Sequence, residues 1–143
     1  MHCHVIVIAF FSLCIFTLFH FLLFFVFQNL LTWLGQCKDK GYHIVGLEQT
    51  SSSESLLEYQ FPPAATFLPD GIDNKNTGGT VLLLGKEKEG IPIEYLQMVD
   101  QCIEIPQYGI IRSLNVHVSG AIAIWEYTKQ QQQQQTKNAS QLI

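Results

Sequence analysis

Between residues 29 and 130 the chain predicts an α/β fold, a parallel sheet with flanking helices, and two observations carry that expectation. Short apolar runs of strand length, YHIVGL, VLLL and QCIEI, alternate with segments whose apolar residues recur at helical spacing. Two of these runs break into turns bearing glycine or proline, LLLGKEKEGIP and EIPQYGIIRSLNV, and then restart as helices. Turns of this kind at strand ends are where α/β sheets build small-molecule pockets.

The elements follow in order. Val5 to Phe27 carries no charge and is interrupted mainly by Ser12, Thr17 and His20, so by length it reads as a transmembrane helix within an apolar segment 1–28. The nearest positive residues, Lys38 and Lys40, lie on its C-terminal side and would keep the rest of the chain cytoplasmic. A secretory signal fits poorly, with no basic residue before the run and no small-residue cleavage pattern after it. A blander alternative exists. Eight of the ten phenylalanines fall here, which is what a pyrimidine-rich non-coding stretch would yield on translation.

Asn29 to Lys40 places Leu30, Leu31, Trp33, Leu34 and Cys37 at helical spacing, with Gly41 positioned for a left-handed cap. Tyr42 to Leu47 suits a buried strand. Thr50 to Ser55 supplies caps for a short helical turn over Leu56, Leu57 and Tyr59. Pro62 to Gly79, with three prolines and three glycines, predicts a long surface loop, and residues 64–79 within it read as an insertion. Periodicity returns at Thr80 with strand Val81 to Leu84, helix Pro92 to Val99, strand Gln101 to Ile105 and a final helix from Leu114 to Lys129. The glutamine run and polar end, 131–143, read as a fraying helix and disordered tail.

Composition narrows the function classes. A net charge of −4 with only eight Lys and Arg gives no basic footprint, so any affinity for RNA would come from elsewhere than bulk charge. Cys3, Cys14, Cys37 and Cys102 have neither C-x-x-C pairing nor histidine at ligand spacing. No metal site or disulfide framework is expected, and a reducing interior fits best. GKEKEG lacks the Lys-Ser/Thr pair of a P-loop and sets carboxylates where phosphate needs donors.

The two turns together resemble the SpoU/TrmH branch of the knotted (SPOUT) RNA 2′-O-ribose methyltransferases. Gly85, Glu87 and Gly90 match the family's second motif, and Ile105, Pro106, Ser113, Leu114, Asn115 and Val116 match its third. The flanking IVGLEQT and GIIRSLNVHVSGAIAIWEY are similar to the C-terminal end of the eukaryotic tRNA guanosine 2′-O-methyltransferases of that branch. The resemblance covers roughly residues 29–63 and 80–130. It implies the C-terminal trefoil-knot half of a SPOUT domain, incomplete at its N-terminal side, and S-adenosyl-L-methionine as cofactor, with main-chain contacts at Gly85, Ile105 and Leu114. It implies tRNA as substrate, a homodimer built through the last helix by Val118, Ala121, Ile122 and Trp125, and a cytoplasmic location.

Ribose methylation needs the 2′-oxygen in line with the methyl group and the hydroxyl proton lost during attack. By resemblance Ser113 and Asn115 orient substrate and Glu87 fixes Asn115 or a substrate group. The ordinary alternatives are that Ser113 caps the helix, Asn115 fills an exposed first-turn position and Glu87 is a solvated carboxylate. Arg112 is assigned at most a phosphate contact, while His117 and His43 read as structural. The family's first motif, with its activating arginine, has no counterpart in residues 1–28, so the chain reads as such an enzyme or as an inactive fragment of one. Two competing readings are a membrane-anchored, non-enzymatic remnant and a generic nucleotide-binding α/β fragment.

Overall fold

The computed structural model describes residues 5–9, 30–63, 79–86, 89–110 and 113–140. Its centre is a parallel sheet of five strands: β1 (Val5–Ala9), β2 (His43–Leu47), β3 (Glu54–Ser55), β4 (Thr80–Leu84) and β5 (Gln101–Glu104). They are arranged β1-β4-β2-β5-β3, with every pairing parallel. Three helices accompany them: α1 (Leu30–Asp39), α2 (Ile93–Leu96) and α3 (Val116–Ser140).

The apolar runs are uninterrupted because the middle strands are covered on both faces. Side chains alternate across a strand, so β2 and β4 feed two cores. On one face Ile44, Val81 and Leu83 pack with Leu30, Leu34 and Cys37 of α1 and Tyr95 of α2. On the other, Val45, Leu82, Leu84 and Ile103 pack with Ala123 and Tyr127 of α3 and with Leu56, Tyr59 and Phe61. Helix α1 closes as expected: Gly41 has φ 77°, its N–H donates to Lys38 O at 2.8 Å, and Tyr42 N–H donates to Cys37 O at 2.9 Å. At the amino ends of β2 and β5, the Asp100 carboxylate accepts the Ile44 N–H at 2.8 Å and pairs with Lys38 at 2.7 Å.

Three expectations are corrected and one, the turn over Leu56 to Tyr59, is met with an addition. The apolar N-terminal run begins as a strand, since Val5–Ala9 pairs with β4 and completes its hydrogen bonding on that side; residues 10–29 lie outside the described residues. Among the described residues, no helix is long and apolar enough to cross a membrane. The helix expected from Pro92 to Val99 is a single turn, because Met98 and Val99 donate to Tyr95 O and Leu96 O in tighter i to i−3 bonds. The turn expected over Leu56 to Tyr59 is preceded by a two-residue strand, β3, too short to show a pattern. Finally, the tail expected to be disordered from 131 stays helical to Ser140. Its glutamines have partners. Gln130 accepts the Phe61 N–H at 2.9 Å and donates to Tyr59 O at 2.9 Å, while Gln131 donates to Pro62 O and Gln134 to Phe61 O. Residues 64–78 of the predicted insertion lie outside the described residues.

Candidate functional site

A cavity of about 160 Å³ opens at the carboxyl ends of β2, β4 and β5. Parallel sheets place ligands there because the loops leaving adjacent strands diverge and leave a crevice. The two turns singled out in the sequence meet in it. Gly85, just past β4, lines one side, and Ile105, Ser113 and Leu114, from the segment between β5 and α3, line another.

Glycine is required at the β4 turn by close approach. A Cβ on Gly85 would stand 2.5 Å from Gly90 C and 2.7 Å from Ile91 N, both main-chain atoms that cannot yield cheaply. Gly90 has φ +68°, a left-handed conformation that disfavours side chains. Lys86 and Gly90 exchange main-chain hydrogen bonds, Lys86 N–H to Gly90 O at 3.0 Å and Gly90 N–H to Lys86 O at 2.9 Å, which folds the turn back on itself. The Lys86 ammonium pairs with Glu89 at 2.8 Å. On the far wall, Gly120 lets α3 approach β4, since a Cβ there would meet Leu84 Cδ1 at 2.8 Å. This brings Val116 and Ser119 to the cavity.

Polar groups line the cavity beside apolar ones. Glu48, one residue past β2, accepts the Ile91 N–H at 3.0 Å, and Glu104 at the end of β5 accepts the Ser53 hydroxyl at 2.7 Å. Leu47, Leu84, Ile103 and Val116 supply the apolar walls. Asn115 stands beside the wall as the N-cap of α3: its Oδ1 accepts the His117 N–H at 2.9 Å and lies 3.2 Å from His117 Nδ1. The capping expected of Ser113 as its ordinary alternative therefore falls to Asn115. Glu87 and Arg112 lie outside the described residues. His43 bonds the Tyr59 hydroxyl at 3.0 Å, away from the cavity.

Glu48 and Glu104 were not among the sequence candidates. Their one available signal was position, each at a strand's carboxyl end. The Cys37 and Cys102 thiols are pushed up by burial, which keeps them protonated near neutrality and removes them as nucleophiles. Among the described residues no group of His, Cys, Asp and Glu is arranged to hold a metal ion. What remains is a cavity lined by main-chain edges and apolar side chains, with two carboxylates at its margin.

Comparison with known proteins gives the same outline. The SpoU rRNA Methylase family matches residues 17–125. The mouse tRNA (guanosine(18)-2′-O)-methyltransferase TARBP1 is 50% identical over 104 residues, 73% of this chain and 6% of that protein. The tRNA (guanosine(18)-2′-O)-methyltransferase of Saccharomyces cerevisiae is 34% identical over 72% of this chain and 6% of its own length. This chain therefore spans only a small part of those relatives. Among solved structures, the Aquifex aeolicus TrmH/SpoU tRNA modifying enzyme superposes with a TM-score of 0.57 at 28% identity, covering 73% of this chain and 45% of that one.

Proposed function

The chain belongs to the SpoU rRNA Methylase family, and from that premise we propose that its strand-end cavity binds S-adenosyl-L-methionine for methylation of a tRNA guanosine at the ribose 2′-oxygen. One observation supports this above the others: two turns separated in sequence, at Gly85 and at Ile105 to Leu114, line one cavity.

The residues present fit such a cofactor. Gly85 lines the cavity without a side chain, so its main chain is the part that faces a ligand there. Leu84, Ile103 and Val116 offer an apolar seat for an adenine ring, and Glu104 favours the cationic sulfonium and ammonium groups. When bound, the cofactor supplies an electrophilic methyl group. In this reading Gly85, Ile105 and Leu114 hold the adenosyl portion through their main chains. Ser113 and Asn115 orient the ribose so that its 2′-oxygen lies in line, and Glu87 steadies Asn115. Asn115 is suited to this because its cap already fixes its side chain at a helix N-terminus.

The proposal extends to assembly and place. Val118, Ile122 and Trp125 are exposed on α3, with Trp125 70% exposed, while Ala123 and Tyr127 face the core. A second copy of the chain covering that face gives a homodimer, and the cytoplasm is the compartment of the reaction. The same reading includes a chain that binds cofactor without turnover.

Binding and transfer are measured separately. Saturating S-adenosyl-L-methionine raises the melting temperature of the full chain, by the equivalent of about 2.7 kcal/mol at a hundredfold excess over Kd. No shift at saturation overturns the cofactor assignment. Labelled methyl appearing at a guanosine 2′-oxygen of tRNA establishes turnover, and a stabilised chain that transfers none is the inactive fragment.

A further inference from the structure

Glu48 joins the ends of the three strands that form the cavity. It follows β2 directly, its own N–H donates to Ile103 O of β5 at 3.1 Å, and its Oε2 accepts the Ile91 N–H beyond the β4 turn at 3.0 Å. That same oxygen fills the notch left by two glycines, 2.8 Å from the Cβ position of Gly85 and 2.6 Å from that of Gly90. Ile91 is buried in the core with Ile44, Leu83 and Tyr95, so the bond ties the rim to packed interior. A neutral acceptor would make a weaker bond to the amide than a carboxylate does. Lys86, in the cavity wall, is paired with Glu89.

We propose that Glu48 is a positioning residue: its carboxylate holds Gly90 and Ile91 against the end of β4, at the height at which the Gly85 main chain can meet a ligand. Shape and function are linked through it, because the Lys86 to Gly90 main-chain pair and the Lys86 to Glu89 ion pair are internal to the turn. The consequence for ligand affinity rests on the cavity taking S-adenosyl-L-methionine. The consequence for the turn does not.

The test uses the full chain with Glu48→Ala and Glu48→Gln, read by amide hydrogen exchange and by calorimetric titration with S-adenosyl-L-methionine. In Glu48→Ala the Ile91 amide exchanges about tenfold faster, the loss of one hydrogen bond to a charged group, while the β4 amides of Val81 to Leu84 keep their rates. Glu48→Gln, which retains an acceptor oxygen, restores most of the protection. Affinity follows the same order, with Glu48→Ala weakened about tenfold and Glu48→Gln recovering most of it. An unchanged Ile91 amide overturns the proposal, and so does an equal acceleration throughout β4, which marks a general loss of stability. Local acceleration with undiminished affinity also overturns it. If Glu48→Gln protects Ile91 yet binds as poorly as Glu48→Ala, the charge contacts the ligand and positioning is refuted. Wild-type chain that binds no cofactor refutes the cofactor reading instead, and the exchange rates then decide the hold on the turn by themselves.

Discussion

The cavity rim and the underside of α3 solve the same problem in opposite ways. At the rim, side chains are removed so that main chain can approach main chain: Gly85 and Gly90 leave a notch that the Glu48 carboxylate enters. Under α3, side chains are added so that an irregular main chain is held. Gln130, Gln131 and Gln134 project from adjacent helix positions and bind the main chain of Tyr59, Phe61 and Pro62, behind which Tyr59, Phe61 and Tyr127 meet edge to face. Buried main-chain groups outside regular structure need partners, and an amide side chain supplies a donor and an acceptor at once. One region is therefore built for access, the other for retention.

Substitutions should separate the two. The largest loss is expected at Phe61→Ala, which empties the aromatic cluster beneath α3 and costs about 3–5 kcal/mol in denaturant unfolding, while the molecules that remain folded keep their cofactor affinity. Gln130→Ala comes next at about 3 kcal/mol, because it leaves the Phe61 N–H and the Tyr59 carbonyl without their amide partner. Gly85→Ala inverts the pattern. Its Cβ meets main chain at 2.5 Å, so about 2 kcal/mol of overpacking accompanies loss of measurable cofactor binding in titration. If Gly85→Ala binds normally, or Gln130→Ala loses affinity in proportion to its stability, the division fails.

The smallest effect appears only in alkali. Burial pushes the Tyr59 phenol up to about 12, and the Glu54 and Asp100 carboxylates add to the rise. A raised value means that the folded state favours the neutral phenol, so its contribution is complete below the ordinary value of 10 and is lost as the pH climbs from there to about 12. Unfolding monitored between pH 9 and 12 should show this decline, and Tyr59→Phe should flatten it.

Much of the sheet was legible in residues 29–130 because buried strands and amphipathic helices leave different periods. YHIVGL, VLLL and QCIE all became strands, and Gly41 took the left-handed cap for the steric reason that predicts it. Gly85, Ile105 and Leu114 line one cavity, since β4 and β5 flank β2 and open at the same edge of the sheet. What escaped lacked a local signal. A continuous apolar run such as Val5 to Phe27 satisfies a helix or a strand equally, and only the open edge of β4 decides for Val5–Ala9. Glu48 looks like any acid after a strand until the turn from a distant strand end arrives beside it. The glutamine run looks like low complexity because its partners lie some 70 residues earlier, at separations of 69 to 73.

That run has an odd genetic property. Gln130 to Gln135 is a homopolymer, and the three amides that grip 59–62 need glutamine only at the first, second and fifth places. Slippage that lengthens the tract by a codon still delivers glutamine to each of those places, and so does slippage that shortens it by one. The contacts are thereby indifferent to the gain or loss of one glutamine in the tract, and contraction below five would cut the last of them.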